Sequence, residues 1–404
     1  MISVEEAIAR IVGAFEPLAP EQVNLALAHG RVLAEDAISR RTQPPVAVSA
    51  MDGYAVIASD VATVPANLDV VAYVVAGDTF DGTLKPGQAS RIFTGAPVPD
   101  GANAIVIQEN TEASADRVTV KENVDEGRYI RPAGLDFSAG DVGLKSGRLL
   151  SARDIGFAAA MNLPWLMVRR RPRIAILATG NEIVMPGADI GTGKIVSSNS
   201  LALGATITAL GGDPLQLGIA PDDRETLRSM FAGAKGADLL LTSGGVSVGE
   251  HDLVRSVLGE EGMELDFWQI AMRPGKPLMF GKIGETPVIG LPGNPVSTMV
   301  CAMIFIKPAM KAMLGMDISR ERLSTATLGS DLGANDERQD YLRAQLYYDD
   351  SGNAVATPFS RQDSSMMARL AEADCLVVRL PGAPALKAGH KVEIMPIGGG
   401  LVQI

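Results

Sequence analysis

Aromatic residues are scarce in this chain of 404 residues, at 4% of the composition. Its cores must therefore be packed by Leu, Ile, Val, Ala and Met, within an apolar share of 47%. Cysteine is nearly absent: Cys301 and Cys375 are the only two, each in an apolar run. Two such thiols exclude a disulfide framework and fit a reducing compartment. Histidine is limited to His29, His251 and His390, too scattered to favour a zinc site or a His-based triad. Positive charge is in deficit, with 36 Lys and Arg against 47 Asp and Glu and a formal net charge of −11. That argues against a general nucleic-acid binder, which would show a basic stripe. It still allows a locally positive pocket. No uninterrupted run of 18 apolar residues suggests a membrane span. The N-terminus, Met-Ile-Ser-Val-Glu-Glu-Ala-Ile, lacks the basic and apolar regions of a signal peptide. The expected setting is cytoplasmic, with neither nucleic acid nor membrane as partner.

What is present points to several domains, since one domain usually spans roughly 100–200 residues. The 43 Gly and 24 Pro predict many turns and at least one β-rich region. Ser3, with Glu6 three residues on, predicts a capped helix over 3–15 whose apolar stripe is Ile8, Ile11, Val12 and Phe15. After a linker at 40–45, residues 46–145 show short alternating runs broken by Gly-Asp, Pro-Gly and Pro-Asp-Gly pairs. Small antiparallel strands look like this. A helix over 151–162 is expected to pack beside the first one, with the β region inserted between them. The run Arg169-Arg170-Arg171-Pro172-Arg173 marks the next boundary and reads as a solvated linker.

Residues 173–316 alternate strand candidates (174–178, 214–219, 238–242, 288–291) with helix candidates (200–210, 223–234, 252–258, 296–313). That alternation predicts a parallel sheet with helices on both faces, and ligands of such sheets bind beyond the carboxyl ends of the strands. Strand candidates at 341–348, 375–379 and 391–395 predict a small β domain at the end. The fold class is multidomain α/β plus β. Its parts are 1–45 with 146–172 as an N-terminal region, 46–145 as an inserted β domain, 173–320 as an α/β domain and 321–404 as a C-terminal β domain.

Three glycine-rich turns each follow a predicted strand: Thr179-Gly180-Asn181-Glu182, Ser243-Gly244-Gly245-Val246-Ser247-Val248-Gly249 and Leu291-Pro292-Gly293-Asn294-Pro295. Glycine lets backbone N–H groups approach an oxyanion, and a helix N-terminus behind the turn adds a favourable dipole. Three such turns at one sheet edge favour a site over ordinary turns. The known nucleotide signatures fail. Gly191-Thr192-Gly193-Lys194 evokes a P-loop, but Ala188 and Ile195 stand where that motif needs Gly and Ser or Thr. Carboxylates cluster nearby: Glu182, Asp222, Asp223 and Asp252. Beside phosphates such groups commonly hold Mg²⁺, although Asp223 and Asp252 also fall where helix caps are expected. Arg273 and Lys276, in Met-Arg-Pro-Gly-Lys-Pro, suit phosphate binding better than helix packing.

The strings Ser49-Ala50-Met51-Asp52-Gly53-Tyr54-Ala55 and Phe93-Thr94-Gly95-Ala96-Pro97-Val98-Pro99, with the three turns, closely resemble signatures of the MoeA family. This family comprises the molybdopterin molybdenumtransferases and the E domain of gephyrin. The motifs keep the family's order across essentially the whole chain. The resemblance implies a central α/β domain like that of molybdopterin adenylyltransferases, which binds molybdopterin. It also implies a dimerising N-terminal region, a β insertion and a C-terminal β domain. It implies a homodimer that inserts molybdenum from molybdate into adenylated molybdopterin and releases AMP with the help of Mg²⁺, and contact with molybdopterin adenylyltransferase.

The family's functional positions fall on Asp52, Thr94, Asp136, Glu182, Asp222, Asp252, Arg273, Lys276, Arg343 and Ser364. Thr179, Gly180, Ser243, Gly244, Gly245, Ser247, Pro292, Asn294 and Pro295 are the substrate-binding candidates of the turns. Four positions depart from the family pattern. Gln269 stands where a cation is usual, Arg273 where Lys is frequent, Leu135 where Glu is frequent, and Asp363 where Gly is frequent. In the expected scheme the turns and Lys276 cradle phosphates, and Glu182 and Asp252 hold Mg²⁺. Arg273, with Arg343 and Ser364, receives molybdate. Asp52, Thr94 and Asp136 reach in from a second copy. Two other readings compete. Adenylyl transfer from ATP to molybdopterin is disfavoured by the extra domains and the Met-Asp-Gly-Tyr motif. A peptide-binding scaffold without catalysis is disfavoured by the intact acidic and basic positions.

Overall fold

The Ser3 hydroxyl accepts the Glu6 N–H at 3.1 Å and opens α1 (Val4–Val12). A computed structural model describes residues 1–245, 253–320 and 323–397. After α1 comes β1 (Pro20–Asn24), then the inserted domain: β2 (Gly53–Val56), β3 (Ala66–Val74), β4 (Gln88–Ile92), β5 (Ala104–Ile107), β6 (Thr111–Ser114) and β7 (Arg117–Val120). These six form one sheet in the order β5-β2-β4-β3-β7-β6. Every pair is antiparallel except β3 with β4. Tyr54, Val56, Leu68, Val106 and Val118 fill its core.

A Ser151–Asp154 capping box opens α2 (Ala152–Ala160), and β8 (Trp165–Arg169) then runs antiparallel to β1. The helix does not pack beside α1, contrary to the expectation from sequence. It lies in a core with Ala28, Leu33, Leu144 and Leu150, where Phe157 meets Phe137 edge-on at 5.5 Å. Val4, Ala7 and Ile11 of α1 instead join the core of the α/β domain. The arginine run is also more than a solvated linker. Arg169 donates to the Leu18 carbonyl at 2.8 Å, and Arg170 forks onto Asp238 at 2.7 and 2.6 Å.

The α/β domain contains β9 (Arg173–Thr179), α3 (Asn199–Ala209), β10 (Asp213–Ala220), α4 (Arg224–Ala232), β11 (Leu239–Ser243), α5 (Leu253–Glu260), β12 (Met263–Gln269), β13 (Pro277–Ile283), β14 (Thr286–Leu291) and α6 (Pro295–Met313). Alternate residues of β9 serve opposite faces, as a pleated strand requires. Ile174 and Ile176 pack with α3 and α6, while Ala175 and Leu177 pack with α4 and α5. The sheet order is β10-β9-β11-β14-β13-β12. Only the first four strands are parallel, so the expected all-parallel sheet is corrected to a mixed one. Gly284, at φ +53°, turns β13 straight back into β14, and so short a turn forces antiparallel pairing. Among the described residues α6 alone is long and apolar enough to cross a membrane. Its most apolar stretch is 78% buried inside the protein, as a core helix would be.

The C-terminal domain is a closed ring of β15 (Ser324–Leu328), β16 (Gln339–Tyr348), β17 (Ala354–Pro358), β18 (Cys375–Arg379) and β19 (Lys391–Pro396). Its order is β16-β17-β15-β19-β18, closed by β18 on β16. Closure leaves no free edge among these strands. The pair Met272–Arg273 docks in parallel on Gln339–Asp340 at the start of β16, which ties this ring to the α/β domain.

Candidate active site

The three glycine turns stand at the carboxyl ends of β9, β11 and β14, neighbouring parallel strands. A Cβ on Gly244 (φ +97°) would lie 2.6 Å from the Thr179 carbonyl oxygen, so no other residue fits there without movement. Thr179 donates to the Ser243 carbonyl at 3.4 Å, and the Gly244 N–H donates to the Leu291 carbonyl at 3.2 Å. Asn199, at the start of α3, closes the arrangement. Its amide donates to Ser243 Oγ at 2.9 Å and to the Gly293 carbonyl at 2.8 Å. Sequence reasoning passed over Asn199, although Ser197-Ser198-Asn199 at a predicted helix start was the available signal. At the third turn Thr298 donates to the Pro292 carbonyl at 2.5 Å, and Pro295 occupies the first turn of α6. Asn294 donates to Ser364 Oγ at 2.7 Å, which joins the turn to the C-terminal domain.

The acidic groups take different positions. Glu182 is exposed and folds back over Gly180, where a Cβ would come within 2.6 Å of its carboxylate. Asp222 accepts the Asn181 N–H at 3.2 Å, and Asn181 accepts the Asp222 N–H at 3.1 Å, so the loop after β10 braces the first turn. Asp223 caps α4 through the Thr226 N–H at 2.8 Å. The hydrogen bonds from Thr226 hold its carboxyl below the ordinary range. The candidates Ser247 and Asp252 lie outside the described residues. Among the described residues no three His, Cys, Asp or Glu side chains gather as a metal-ligand group.

The cations divide sharply. Lys276 is exposed and has no ion pair among the described residues. Arg273, expected to receive an oxyanion, is not a free cation here. It grips Asp340 at 2.9 and 2.5 Å and reaches Asp336 at 3.3 Å, so its charge is already compensated. Arg343 has 1% of its surface exposed, and its Nη2 is buried without a hydrogen-bond partner. Burial lowers its pKa, and the nearby Asp363 charge opposes that shift. Gln362 holds both its backbone and its Nε, a second residue the sequence did not single out.

Asp52, Thr94 and Asp136 belong to the inserted domain and its flank. Asp52 accepts the Thr94 N–H and hydroxyl, each at 2.8 Å. These bonds, with the charge of Arg91, hold the carboxyl below the ordinary range. Gly53 is required beside it, since a Cβ there would sit 2.0 Å from the Val106 carbonyl oxygen. Asp136 is exposed, and its N–H donates to the Gln43 carbonyl at 3.0 Å. No hydrogen bond among the described residues joins these three to the glycine turns. A cavity of about 800 Å³ lined by Val32, Leu150, Leu210 and Met310 shares no residue with the turns.

Comparison with known proteins agrees with this layout. Residues 2–162 match the MoeA N-terminal region (domain I and II), 175–312 a probable molybdopterin binding domain, and 325–397 the MoeA C-terminal region (domain IV). The chain belongs to the MoeA family. A molybdopterin molybdenumtransferase of Nostoc is 34% identical over 386 residues, spanning 93% of this chain and 88% of that relative. One from Haemophilus influenzae is 31% identical and spans 98% of both. A solved molybdopterin biosynthesis MoeA protein from Pyrococcus horikosii is 30% identical with a TM-score of 0.86, covering 99% of this chain and all of that one. Within the MoeA family, then, this chain keeps all three matched regions, and the resemblance carried by its five motifs holds along its length.

Proposed function

We propose that this chain inserts molybdenum from molybdate into adenylated molybdopterin, releasing AMP. The observation that carries the reading is a glycine-built sheet edge linked, through Asn294 and Ser364, to the loop that holds a buried guanidinium whose Nη2 has no acceptor. One substrate needs phosphate sites and the other is a tetrahedral oxyanion, and the two features answer to them separately. The glycine turns and Lys276 bind and orient the phosphates. Arg343 and Ser364, rather than Arg273, take molybdate.

Glu182, an exposed carboxylate beside the first turn, suits Mg²⁺, an ion that accepts one or two carboxylates and completes its shell with phosphate oxygens and water. Glu182 would hold it together with Asp252. The ion would neutralise charge on the phosphoanhydride. Asp52, ionised by its two bonds from Thr94, enters with Asp136 from a second copy and orients substrate or the attacking oxygen. A cytoplasmic homodimer fits the two buried free thiols and a site divided between distant parts of the chain. Contact with molybdopterin adenylyltransferase would deliver the substrate.

The test is AMP release that depends on molybdate. Asp52→Ala and Glu182→Ala should each abolish it while leaving a folded dimer. Mixing the two inactive variants should restore activity, because one site of each mixed dimer regains both carboxylates. Full activity in both single variants overturns the scheme.

A further inference from the structure

We propose that Gln362 is a positioning residue that holds Arg343 in place while leaving its positive charge for the oxyanion substrate. The inference rests on the reading above, in which Arg343 takes molybdate. Arg343 lies in β16, almost fully buried. The Gln362 side-chain oxygen accepts its backbone N–H at 3.0 Å and its Nε–H at 3.2 Å. The Gln362 side-chain nitrogen donates to the Arg343 carbonyl at 2.9 Å and to the Phe359 carbonyl at 2.9 Å. One amide thus fixes the main chain and the guanidinium together. The Met366 carbonyl accepts from Nη1 at 3.3 Å, and Nη2 has no partner.

What matters is the kind of acceptor. Every acceptor on Arg343 is a neutral oxygen. The partly buried Arg170 and Arg338 are held by the carboxylates of Asp238 and Asp336. Arg379 is as buried as Arg343 and also uses carbonyls, those of Gly333, Ala383 and Pro384. It leaves no buried nitrogen unpartnered, so it serves as a pin for loops. A buried cationic donor without an acceptor is costly, and one retained in a fold calls for a reason such as a bound ion.

The neighbouring residues complete the picture. Asp363 adds a carboxylate to the same loop, but that carboxylate accepts the Ser365 N–H at 2.8 Å and the Ser365 hydroxyl at 2.6 Å. It accepts no hydrogen bond from Arg343. Ser364, between them, carries the hydroxyl that Asn294 binds. The segment 362–364 therefore presents a neutral anchor, a diverted acid and a hydroxyl in sequence. A glutamate in place of Gln362 would keep the acceptor and the shape, lose the two donations to the Arg343 and Phe359 carbonyls, and pair the guanidinium as Asp340 pairs Arg273.

The experiment measures binding of sodium molybdate to the full chain by calorimetry, independently of turnover. Gln362→Glu should raise the molybdate Kd about tenfold, the size of one lost charge-assisted hydrogen bond, with some fall in melting temperature because the two bonds that the amide nitrogen donates are lost. Asp363→Asn should tighten binding about two- to threefold by removing a nearby negative charge, a gain that loss of structure would not produce. If Gln362→Glu does not fold, Gln362→Met replaces it; it is neutral but leaves the guanidinium unheld, and a raised Kd is expected again. Arg343→Gln separates the two levels of the argument. Molybdate binding that survives Arg343→Gln overturns the molybdate reading itself. Binding lost in Arg343→Gln but unchanged in the Gln362 variants overturns the positioning role alone.

Discussion

Two arginines meet the same strand three residues apart and are put to opposite uses. At the start of β16, Asp340 receives the fork of Arg273, and Asp336 adds a second carboxylate. Further along β16, Arg343 meets only neutral oxygens and keeps Nη2 without an acceptor. The first region locks the C-terminal ring to the α/β domain. The second leaves a buried cation with no carboxylate bonded to it. A cation's role is thus set by its acceptors: Arg273 is paired with carboxylates, and Arg343 is not. Both arginines look equally suitable as anion ligands in the sequence, and only one remains available.

Substitutions sharpen this contrast, the largest effect first. Arg273→Met strands the buried Asp340 carboxylate, which is 5% exposed. It should cost roughly 3 kcal/mol of stability in chemical denaturation, below the full value for a buried pair because Arg273 is half exposed. Its molybdate Kd should not move; a large rise would erase the distinction between the two regions. Arg343→Gln should do the reverse, weakening molybdate binding by about 2 kcal/mol, or roughly thirty-fold, with stability within about 1 kcal/mol of the parent.

Asn199→Ala tests whether the glycine edge is separate from both arginines. It removes the bonds to Ser243 and Gly293 and should cost about 1 kcal/mol. The KM for the nucleotide substrate should rise while the molybdate Kd holds. The smallest effect concerns pH. Asp336 is held at about 2, from an ordinary 3.8, chiefly by hydrogen bonds from Arg338 and also by the charge of Arg273. A depressed carboxyl contributes stability above the unfolded value and loses it as pH falls through the folded value. The cluster should therefore weaken as acid is added from about pH 4 to about pH 2, and Asp336→Asn should flatten that part of an acid-unfolding profile.

Much of the fold was legible in local patterns. Ser3 and Glu6 marked the start of α1, and the apolar runs of β9, β11 and β14 marked the parallel centre of the sheet. The first two turns were legible because glycine is the residue that tolerates the positive φ of Gly180, Gly244 and Gly245, and the third because Pro295 marks the first turn of a helix. Other features depended on partners far along the chain. The pair β12 and β13 is a hairpin component with no helix to announce it, and α2 finds Phe137 rather than α1. Asn199 and Gln362 are ordinary amides until folding sets them against Ser243, Gly293 and Arg343.

The sequence by itself determined the kinds of side chain available: glycine-rich turns after three strands, carboxylates and cations near them, and few His and Cys. It also determined the local elements, because caps, turns and apolar periods act between residues close in the chain. Only the tertiary structure decided which charges are spent and which are kept. The reason is that an ion pair is made across space: Arg273 and Asp340 are 67 residues apart, and Arg343 is held by an amide 19 residues away.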